Sequence, residues 1–320
     1  MLVNRRQWLL AWAAAATGAV ALPRGASWLT EDGRIRIVGY NDMEEMLRPI
    51  CALFSARHRG IEFALVLTGT KAAPEALANG TSLLAPMGAE LMPEQWSEWR
   101  RTLIHDPLMI RVAHDSLNPR ARSSPTAVFV HRDNPLREIS LEQLRDVLTA
   151  GFAHLRRWGE LGLTGVWADA AIRAHGLADD TAIGTLLRLQ KLSGRPYANS
   201  VTAHSQSRDV VAALEREPYG IGFANLNHIT PLLRALPVSE RTGGRAYAGT
   251  AANLRAGVYP LDRALLIYLK RDRLGRLNPI AVELTQLILS TQGQRIIASG
   301  SLGYIPLSMA DATRERAKLG

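Results

Sequence analysis

The sequence is poor in several residues and patterns that define whole classes of protein. Its 320 residues include a single cysteine, Cys51, so no intrachain disulfide can form. Aromatic residues make up only 6% of the chain, and lysine and arginine are spread along it without a dense basic block. Nucleic-acid-binding proteins typically show clustered basic residues with aromatics between them. We therefore expect no nucleic-acid partner.

The motifs of common enzyme classes are missing as well. The chain contains no Gly-x-Ser-x-Gly nucleophile elbow, no GxxxxGK phosphate loop and no GxGxxG fingerprint. Its eight histidines show no HxxxH or HxH spacing suited to a metal ion. We therefore predict no catalytic residues, no metal site and no cofactor, and we expect a binding protein rather than an enzyme.

The composition is that of a folded protein with a large core. Apolar residues make up 47% of the chain and charged residues 21%, and a chain of this length divides naturally into two α/β lobes. The formal net charge is +9. This charge could be an ordinary basic surface, or it could create a positive field that attracts an anion.

The first 21 residues have the pattern of a signal peptide. Arg5 and Arg6 give a positive start, an apolar stretch runs from Leu9 to Ala16, and Ala19-Val20-Ala21 is an A-x-A cleavage site. The apolar stretch is too short to span a bilayer. We therefore predict export to the periplasm. The paired arginines resemble a twin-arginine leader, but such pairs occur in ordinary leaders too, so both export routes stay open.

Short strands alternate with helices along the rest of the chain. Alternating apolar residues predict strands near 34–40, 61–67 and 126–131. An apolar run that begins at a glycine turn predicts another strand near 219–224. Ser140 followed by Gln143 predicts a helix start with a capping box. The repeated strand-then-helix order indicates an α/β fold with a parallel or mixed sheet.

Five short segments occur in a recognisable order in the last two thirds of the chain. They are Asn134-Pro135-Leu136, Arg157-Trp158-Gly159, Tyr219-Gly220-Ile221-Gly222-Phe223, Tyr259-Pro260-Leu261-Asp262-Arg263 and Gly303-Tyr304-Ile305-Pro306-Leu307. In this order and spacing they resemble the phosphate-binding receptors of ABC importers. The resemblance extends from about residue 34 to about residue 307.

The resemblance implies an α/β, two-lobed periplasmic-binding-protein (type II) fold with a hinge and an interlobe ligand cleft. Lobe I would combine residues 34–124 with 236–320, and lobe II would span 125–235. It implies that a monomer captures phosphate or a related oxyanion between the lobes. A membrane ABC permease would recognise the conformation in which the two lobes have closed about the hinge.

The first two ligand loops of that family match residues that follow the first two predicted strands. In the first loop, Asn41 could donate a hydrogen bond, while the neighbouring Asp42 would repel an anion unless it turned away. In the second loop, Gly69, Thr70 and Lys71 resemble the start of a helix whose backbone N–H groups face the ligand. The resemblance therefore makes Asn41, Gly69, Thr70 and Lys71 the ligand residues of lobe I.

The third ligand loop is the most altered. It keeps an arginine, Arg173, and one hydroxyl, Thr181, which the resemblance makes ligand residues of lobe II. Arg173 could also be an ordinary surface charge, and Asp179 with Asp180 could simply cap the following helix. An aspartate that accepts the ligand's proton in the family is replaced by Leu83. This loss weakens the case for phosphate in particular.

Three functions stay open at this point. The first is capture of phosphate or a related oxyanion for import. In the second, the fold is kept but the cleft holds another molecule or none, and the protein acts as a periplasmic sensor or assembly partner. The apolar or aromatic loop residues Tyr40, Leu83 and Ile183 favour this version. The third is an exported hydrolase.

Overall fold

The computed structural model describes residues 25–151 and 154–320. The predicted signal peptide, residues 1–21, lies outside the described residues. Within the described ranges, no helix combines the length and the apolar character needed to cross a membrane.

Strands and helices alternate up to residue 116, as the sequence pattern predicts, whereas later in the described chain three strands twice follow one another without an α-helix between them. The strands are β1 (Ile35–Val38), β2 (Phe63–Val66), β3 (Ala85–Met87), β4 (Leu108–Ser116), β5 (Thr126–His131), β6 (Ile139–Ser140), β7 (Arg173–Leu177), β8 (Thr202–His204), β9 (Gly220–Asn225), β10 (Leu233–Ala235), β11 (Val238–Ser239), β12 (Ala264–Leu269) and β13 (Tyr304–Pro306). The α-helices are α1 (Glu44–Arg57), α2 (Ala72–Ala78), α3 (Pro93–Thr102), α4 (Leu141–Leu148), α5 (Ala182–Lys191), α6 (Ser207–Leu214), α7 (Ala251–Arg255), α8 (Pro279–Ile288), α9 (Thr291–Ser299) and α10 (Met309–Ala317).

The first lobe contains a parallel strand pair and an antiparallel sheet. β1 pairs with β2 in parallel, and β4 lies between β13 and β12 in a sheet of order β13-β4-β12-β3. The core beneath these strands includes the fully buried side chains Ile35, Leu47 and Ile110. Helices α1, α8 and α9 contribute their apolar faces to the same core. Burial of these faces from water is the main stabilising contribution.

The second lobe is built on one mixed sheet of order β10-β5-β9-β7-β8. β7 runs parallel to both of its neighbours, whereas β5 pairs with β9 in the antiparallel sense. Its separate core includes the fully buried rings of Phe129, Trp158 and Phe223. A smaller third cluster, which includes Leu77, Trp99 and Tyr268, also packs on the sheet of the first lobe. The two sets of strands, each with its own core residues, define two lobes, which confirms the predicted two-lobed α/β fold.

The position at which the chain returns to lobe I differs from the sequence-based expectation. The sequence placed this return near residue 236, but Leu236, Leu254 and Leu261 all pack in the second core. Arg263 and strand β12 then lead into the sheet of the first lobe. We propose that lobe II spans residues 125–261 and that lobe I combines 34–124 with 262–320.

Candidate functional site

Three loops of lobe I meet at one edge, next to the second lobe. The Gly39 amide donates to the Val66 carbonyl at 3.2 Å, and the Gly69 amide donates to the Gly39 carbonyl at 2.9 Å. The Tyr40 amide donates to the carbonyl of Pro86 in β3 at 2.9 Å. Because the carboxyl ends of parallel strands lie at the same edge, the loops after β1 and β2 become neighbours. The structure therefore brings the first two predicted ligand loops together.

The second loop is the better preserved of the two. The Gly88 amide donates to the Thr70 hydroxyl oxygen at 3.3 Å. Gly69 has φ +140°, a conformation that other residues rarely adopt. Lys71 is exposed at the start of α2. The Thr70 hydroxyl thus connects the loop after β2 to the loop after β3, and Lys71 faces solvent.

The first loop uses its polar side chains for internal contacts. The Asp42 carboxylate is buried and accepts hydrogen bonds from the Arg122 amide at 2.7 Å and the Tyr304 hydroxyl at 2.9 Å. The Asn41 side-chain oxygen, in the amide orientation that satisfies both groups, accepts from the Arg122 guanidinium at 3.2 Å. Asp42 has therefore turned toward its own lobe, and Asn41 is already engaged by Arg122.

An aromatic ring covers the loop after β3. Tyr40 is buried, and a Cβ atom built on Gly88 would lie 2.7 Å from Tyr40 Cε1. The backbone at Gly88 therefore has no room for a side chain, and an acceptor carboxylate cannot be placed there. Leu83, expected in place of that carboxylate, instead packs in the core of lobe I. Its side chain does not line a ligand site.

The third loop joins β7 to α5, and its hydroxyl caps the helix. Thr181 Oγ1 accepts from the Gly184 amide at 3.0 Å and donates to the Ala178 carbonyl at 2.7 Å. Asp179 accepts a hydrogen bond from Arg188 Nε at 2.6 Å. The expectation that Asp179 and Asp180 cap this helix is wrong, because Thr181 occupies that position and role. The Thr181 hydroxyl is a structural cap with both of its hydrogen-bonding functions in use.

Arg173 lies at the other end of the strand that leads to this loop. It is the first residue of β7 and pairs with Gly220, the first residue of β9. Four residue steps separate Arg173 from Leu177, which corresponds to about 13 Å of strand. The structure therefore does not bring Arg173 to Thr181, and it leaves Arg173 exposed on the surface. The predicted clamp of these two residues on one ligand does not form.

A different arginine, Arg263, lies where the two lobes meet. Its Nη2 donates to the Gly88 carbonyl at 3.1 Å. Its Nη1 donates to the Ser124 carbonyl at 3.3 Å and reaches Asn225 Oδ1 at 3.5 Å. Gly88 follows β3 of lobe I, whereas Asn225 ends β9 of lobe II, so one guanidinium contacts both lobes. The sequence did not predict this role for Arg263, although a charged residue directly before an apolar strand was an available signal.

A buried carboxylate accompanies Arg263. Asp115 Oδ2 accepts from the Ser123 hydroxyl at 2.6 Å, while Asp115 Oδ1 is buried without a hydrogen-bond partner. Burial raises the pKa of Asp115 to about 6, although Arg263 and the Ser123 hydroxyl favour its charged form. Beside it, His114 Nδ1 lies 2.6 Å from Asp262 Oδ2. The junction of the lobes is therefore a compact, largely buried group of ionisable side chains.

A cavity of about 340 Å³ opens beside this junction. Lobe I lines it with Glu90 and Arg263, and helix α5 of lobe II lines it with Ile183, Gln190 and Lys191. Gln190 Nε2 donates to Glu90 Oε2 at 2.6 Å, so a hydrogen bond joins the lobes at its edge. None of the six predicted ligand residues lines this cavity. Its size suits a small ligand.

Two histidines of lobe II, scattered in sequence, are neighbours in space. His175 Nδ1 lies 3.1 Å from His204 Nε2, and His175 Nε2 lies 2.9 Å from Glu217 Oε2. One ring nitrogen of such a pair must donate and the other accept, so at least one imidazole is neutral. Burial and the neighbouring His175 both lower the pKa of His204. In the part of the chain that the structure describes, no group of three His, Cys, Asp or Glu is arranged for a metal ion.

Two lobes with separate cores, a chain that passes twice between them and a cavity at their junction define the fold of a two-lobed solute-binding protein. No family model matches the sequence. The chain is homologous to the phosphate-binding protein PstS of Pseudomonas aeruginosa. The two are 24% identical over 315 residues, which cover 96% of this chain and 94% of that protein.

Solved structures establish the same fold. An ABC-type phosphate transport receptor from Vibrio cholerae superposes with a TM-score of 0.57 at 16% identity, covering 85% of this chain and 99% of that one. PstS from Borrelia burgdorferi superposes with a TM-score of 0.56 at 14% identity, covering 86% and 99%. The resemblance drawn from short sequence segments is therefore confirmed.

Proposed function

We propose that the protein captures phosphate or a related oxyanion between its two lobes and delivers it to a membrane ABC permease. Homology to PstS over nearly the full length of both chains supports this role. The structural observation that carries it is the position of Arg263, which contacts both lobes and lines the cavity at their junction. An anion bound to the Arg263 guanidinium would therefore lie between the two lobes.

The chemistry of the guanidinium suits this task. Arg263 presents a planar fork of donors, and these now meet two carbonyl oxygens and an amide oxygen at 3.1 to 3.5 Å. Hydrogen bonds from a guanidinium to an oxyanion are shorter and stronger than such neutral contacts. Lys191 brings a second cation to the same cavity. As the lobes approach and exclude water, each of these charge interactions strengthens.

The protein would bind and release its ligand without catalysing a reaction. The homologous protein of Pseudomonas aeruginosa is a phosphate-binding protein, and the similar structure from Vibrio cholerae is a phosphate transport receptor, and both names denote binding rather than catalysis. We further propose that the protein works as an exported periplasmic monomer. The leader pattern of residues 1–21 supports export.

A second candidate function is supported by the altered loops. Asp42 brings a carboxylate to the short 3-10 helix Asn41–Met43 that precedes α1, and the Tyr40 ring covers Gly88. Arg173 is far from the third loop. If these changes have abolished ligand binding, the same fold would serve as a periplasmic sensor or assembly partner.

Thermal unfolding of the ligand-free protein separates the two functions. The protein is heated in buffer alone and with phosphate, sulfate or molybdate. A ligand at about a hundred times its Kd stabilises the fold by about 2.7 kcal/mol, which raises Tm by several degrees. We expect this rise with phosphate. No rise with any of the three anions would contradict oxyanion capture and favour the second function.

A further inference from the structure

Two neighbouring loops at one end of lobe I expose large apolar side chains. Ile104 is 76% exposed in the loop between α3 and β4, and Leu274 is 74% exposed in the turn after β12. His105 Nε2 lies 3.3 Å from the Arg273 carbonyl, which holds the two loops together. We call residues 100–106 and 271–276 the tip patch.

Ordered backbone presents both side chains to solvent. Around Leu274, the Asp272 amide donates to the Arg276 carbonyl at 2.8 Å, and the Leu274 amide donates to Asp272 Oδ1 at 2.8 Å. Next to Ile104, the His105 carbonyl accepts from Trp99 Nε1 at 2.9 Å. These bonds fix the direction of the two loops, so the exposure of Ile104 and Leu274 is a property of the fold.

The tip patch is strongly basic. It contains two aspartates and five arginines, namely Asp106 and Asp272 with Arg100, Arg101, Arg271, Arg273 and Arg276. Arg100 pairs with Asp106 at 2.9 Å, and Arg276 pairs with Asp272 at 2.8 Å. Arg101 and Arg273 are also exposed, so the patch carries excess positive charge on a chain of net charge +9. A complementary partner is therefore anionic.

The patch lies away from the junction of the lobes. Strand β12 begins directly after Arg263 and ends at Leu269, five residues before Leu274. Its six residues span about 17 Å. β4 starts beside the end of β12, with Leu108 opposite Leu269, which places Ile104 at the same end. Docking through the tip patch would therefore leave the cavity beside Arg263 open.

We propose that the tip patch docks on an anionic phospholipid surface. Ile104 and Leu274 insert among the lipid headgroups, and the surrounding arginines contact the phosphates. Protruding apolar side chains beside basic residues are the usual composition of interfacial membrane contacts. A protein partner would instead favour a broad apolar centre with a polar rim, whereas here two separate side chains project from loop tips. This inference does not rest on the proposed ligand.

Vesicle sedimentation tests the proposal. The purified protein is mixed with sucrose-loaded vesicles of phosphatidylcholine, either alone or with a fraction of phosphatidylglycerol, at low and high salt. We expect sedimentation with the anionic vesicles that is at least about tenfold greater than with phosphatidylcholine, and that falls at high salt because the charges are screened. Equal binding to both vesicle types, or no binding to either, would overturn the proposal and direct the search toward an acidic protein.

Matched variants locate the contact. Ile104→Asn with Leu274→Asn removes the apolar part of the patch, and Val166→Asn with Met309→Asn is the control. The control residues are 83% and 58% exposed and lie outside the patch. We expect the first pair to lower sedimentation by about tenfold and the second to leave it within about twofold.

A second pair of variants tests the charges. Arg101→Gln with Arg273→Gln removes two exposed charges of the patch, and Arg59→Gln with Arg137→Gln removes two exposed charges elsewhere. All variants share the same N-terminal segment, so any vesicle binding by that segment is common to them. If patch variants and controls sediment alike, the tip patch is not the membrane contact.

Discussion

Arg263 Nη1 and Asp115 Oδ2 lie 3.9 Å apart where the two lobes meet. The carboxylate is fully buried, and it is close enough to the guanidinium for a direct charge interaction. The pair connects the start of β12 to the end of β4. Asp115 and Ser123 thus form one group with Asp262 and Arg263, which lie far from them in the sequence, at the junction of the lobes.

The first prediction concerns the pH dependence of stability. Burial raises the pKa of Asp115 to about 6, whereas an aspartate in the unfolded chain titrates at about 3.9. Since the folded protein holds this proton more tightly, protonation of Asp115 stabilises the fold fully below about pH 4. This contribution, at most about 3 kcal/mol, is lost as the pH rises through about 6.

Urea unfolding at pH 4.5 and pH 7 of the wild type and of Asp115→Asn measures this contribution. Other carboxylates with lowered pKa, such as Glu315, change stability in the opposite direction, but they are common to both proteins. We expect the wild type to gain stability relative to Asp115→Asn as the pH falls. The exposed carboxylate Asp180, changed to Asn, serves as the control. A pH response of Asp115→Asn equal to that of the wild type would contradict the assignment.

The second prediction concerns the contact between Tyr40 and Gly88. In Gly88→Ala, the new methyl group would lie 2.7 Å from the ring, so Tyr40 must move. We expect a loss of about 1–3 kcal/mol in the free energy of unfolding. In a Tyr40→Ala background the same change should cost much less, because the ring is gone. Two additive single effects in this double-mutant cycle would show that the ring does not cover Gly88.

The third prediction separates a helix cap from a ligand residue. Because Thr181 caps α5 through its hydroxyl, Thr181→Ala should lower the free energy of unfolding by about 1 kcal/mol. Thr181→Ser keeps the hydroxyl and should stay close to the wild type. Urea unfolding measures the first effect, and phosphate titration measures affinity. If Thr181→Ala keeps the full stability of the wild type but loses affinity for phosphate, Thr181 is a ligand residue rather than a helix cap.

Local structure was predictable from the sequence because its determinants are close along the chain. The strand expected at 126–131 coincides with β5. At the predicted capping box, Ser140 Oγ accepts from the Gln143 amide and Gln143 Oε1 accepts from the Ser140 amide, both at 3.0 Å. Cys51 is buried on the face of α1 that packs in the core of lobe I.

The site was harder to predict, because its contacts join distant parts of the chain. The residue that Arg263 contacts in lobe II lies 38 positions away, and Gly88 in lobe I lies 175 positions away. The family resemblance placed Arg173 in the ligand loop, because the sequence alone does not show that this arginine begins strand β7 and lies a strand's length from that loop. The proposed lobe boundary after residue 261, rather than near 236, depends on the packing of Leu254 and Leu261 in the second core, which the sequence does not show.

The central claim is that an oxyanion is held at the junction by Arg263. Isothermal titration of phosphate into the ligand-free wild type, Arg263→Gln and Arg173→Gln tests it most directly. We expect Arg263→Gln to weaken phosphate binding by at least about tenfold, since a charge-assisted contact is lost. Arg173→Gln, which changes an exposed arginine at the far end of β7, should stay within about twofold of the wild type. Unchanged affinity of Arg263→Gln, or loss of binding only in Arg173→Gln, would contradict the account.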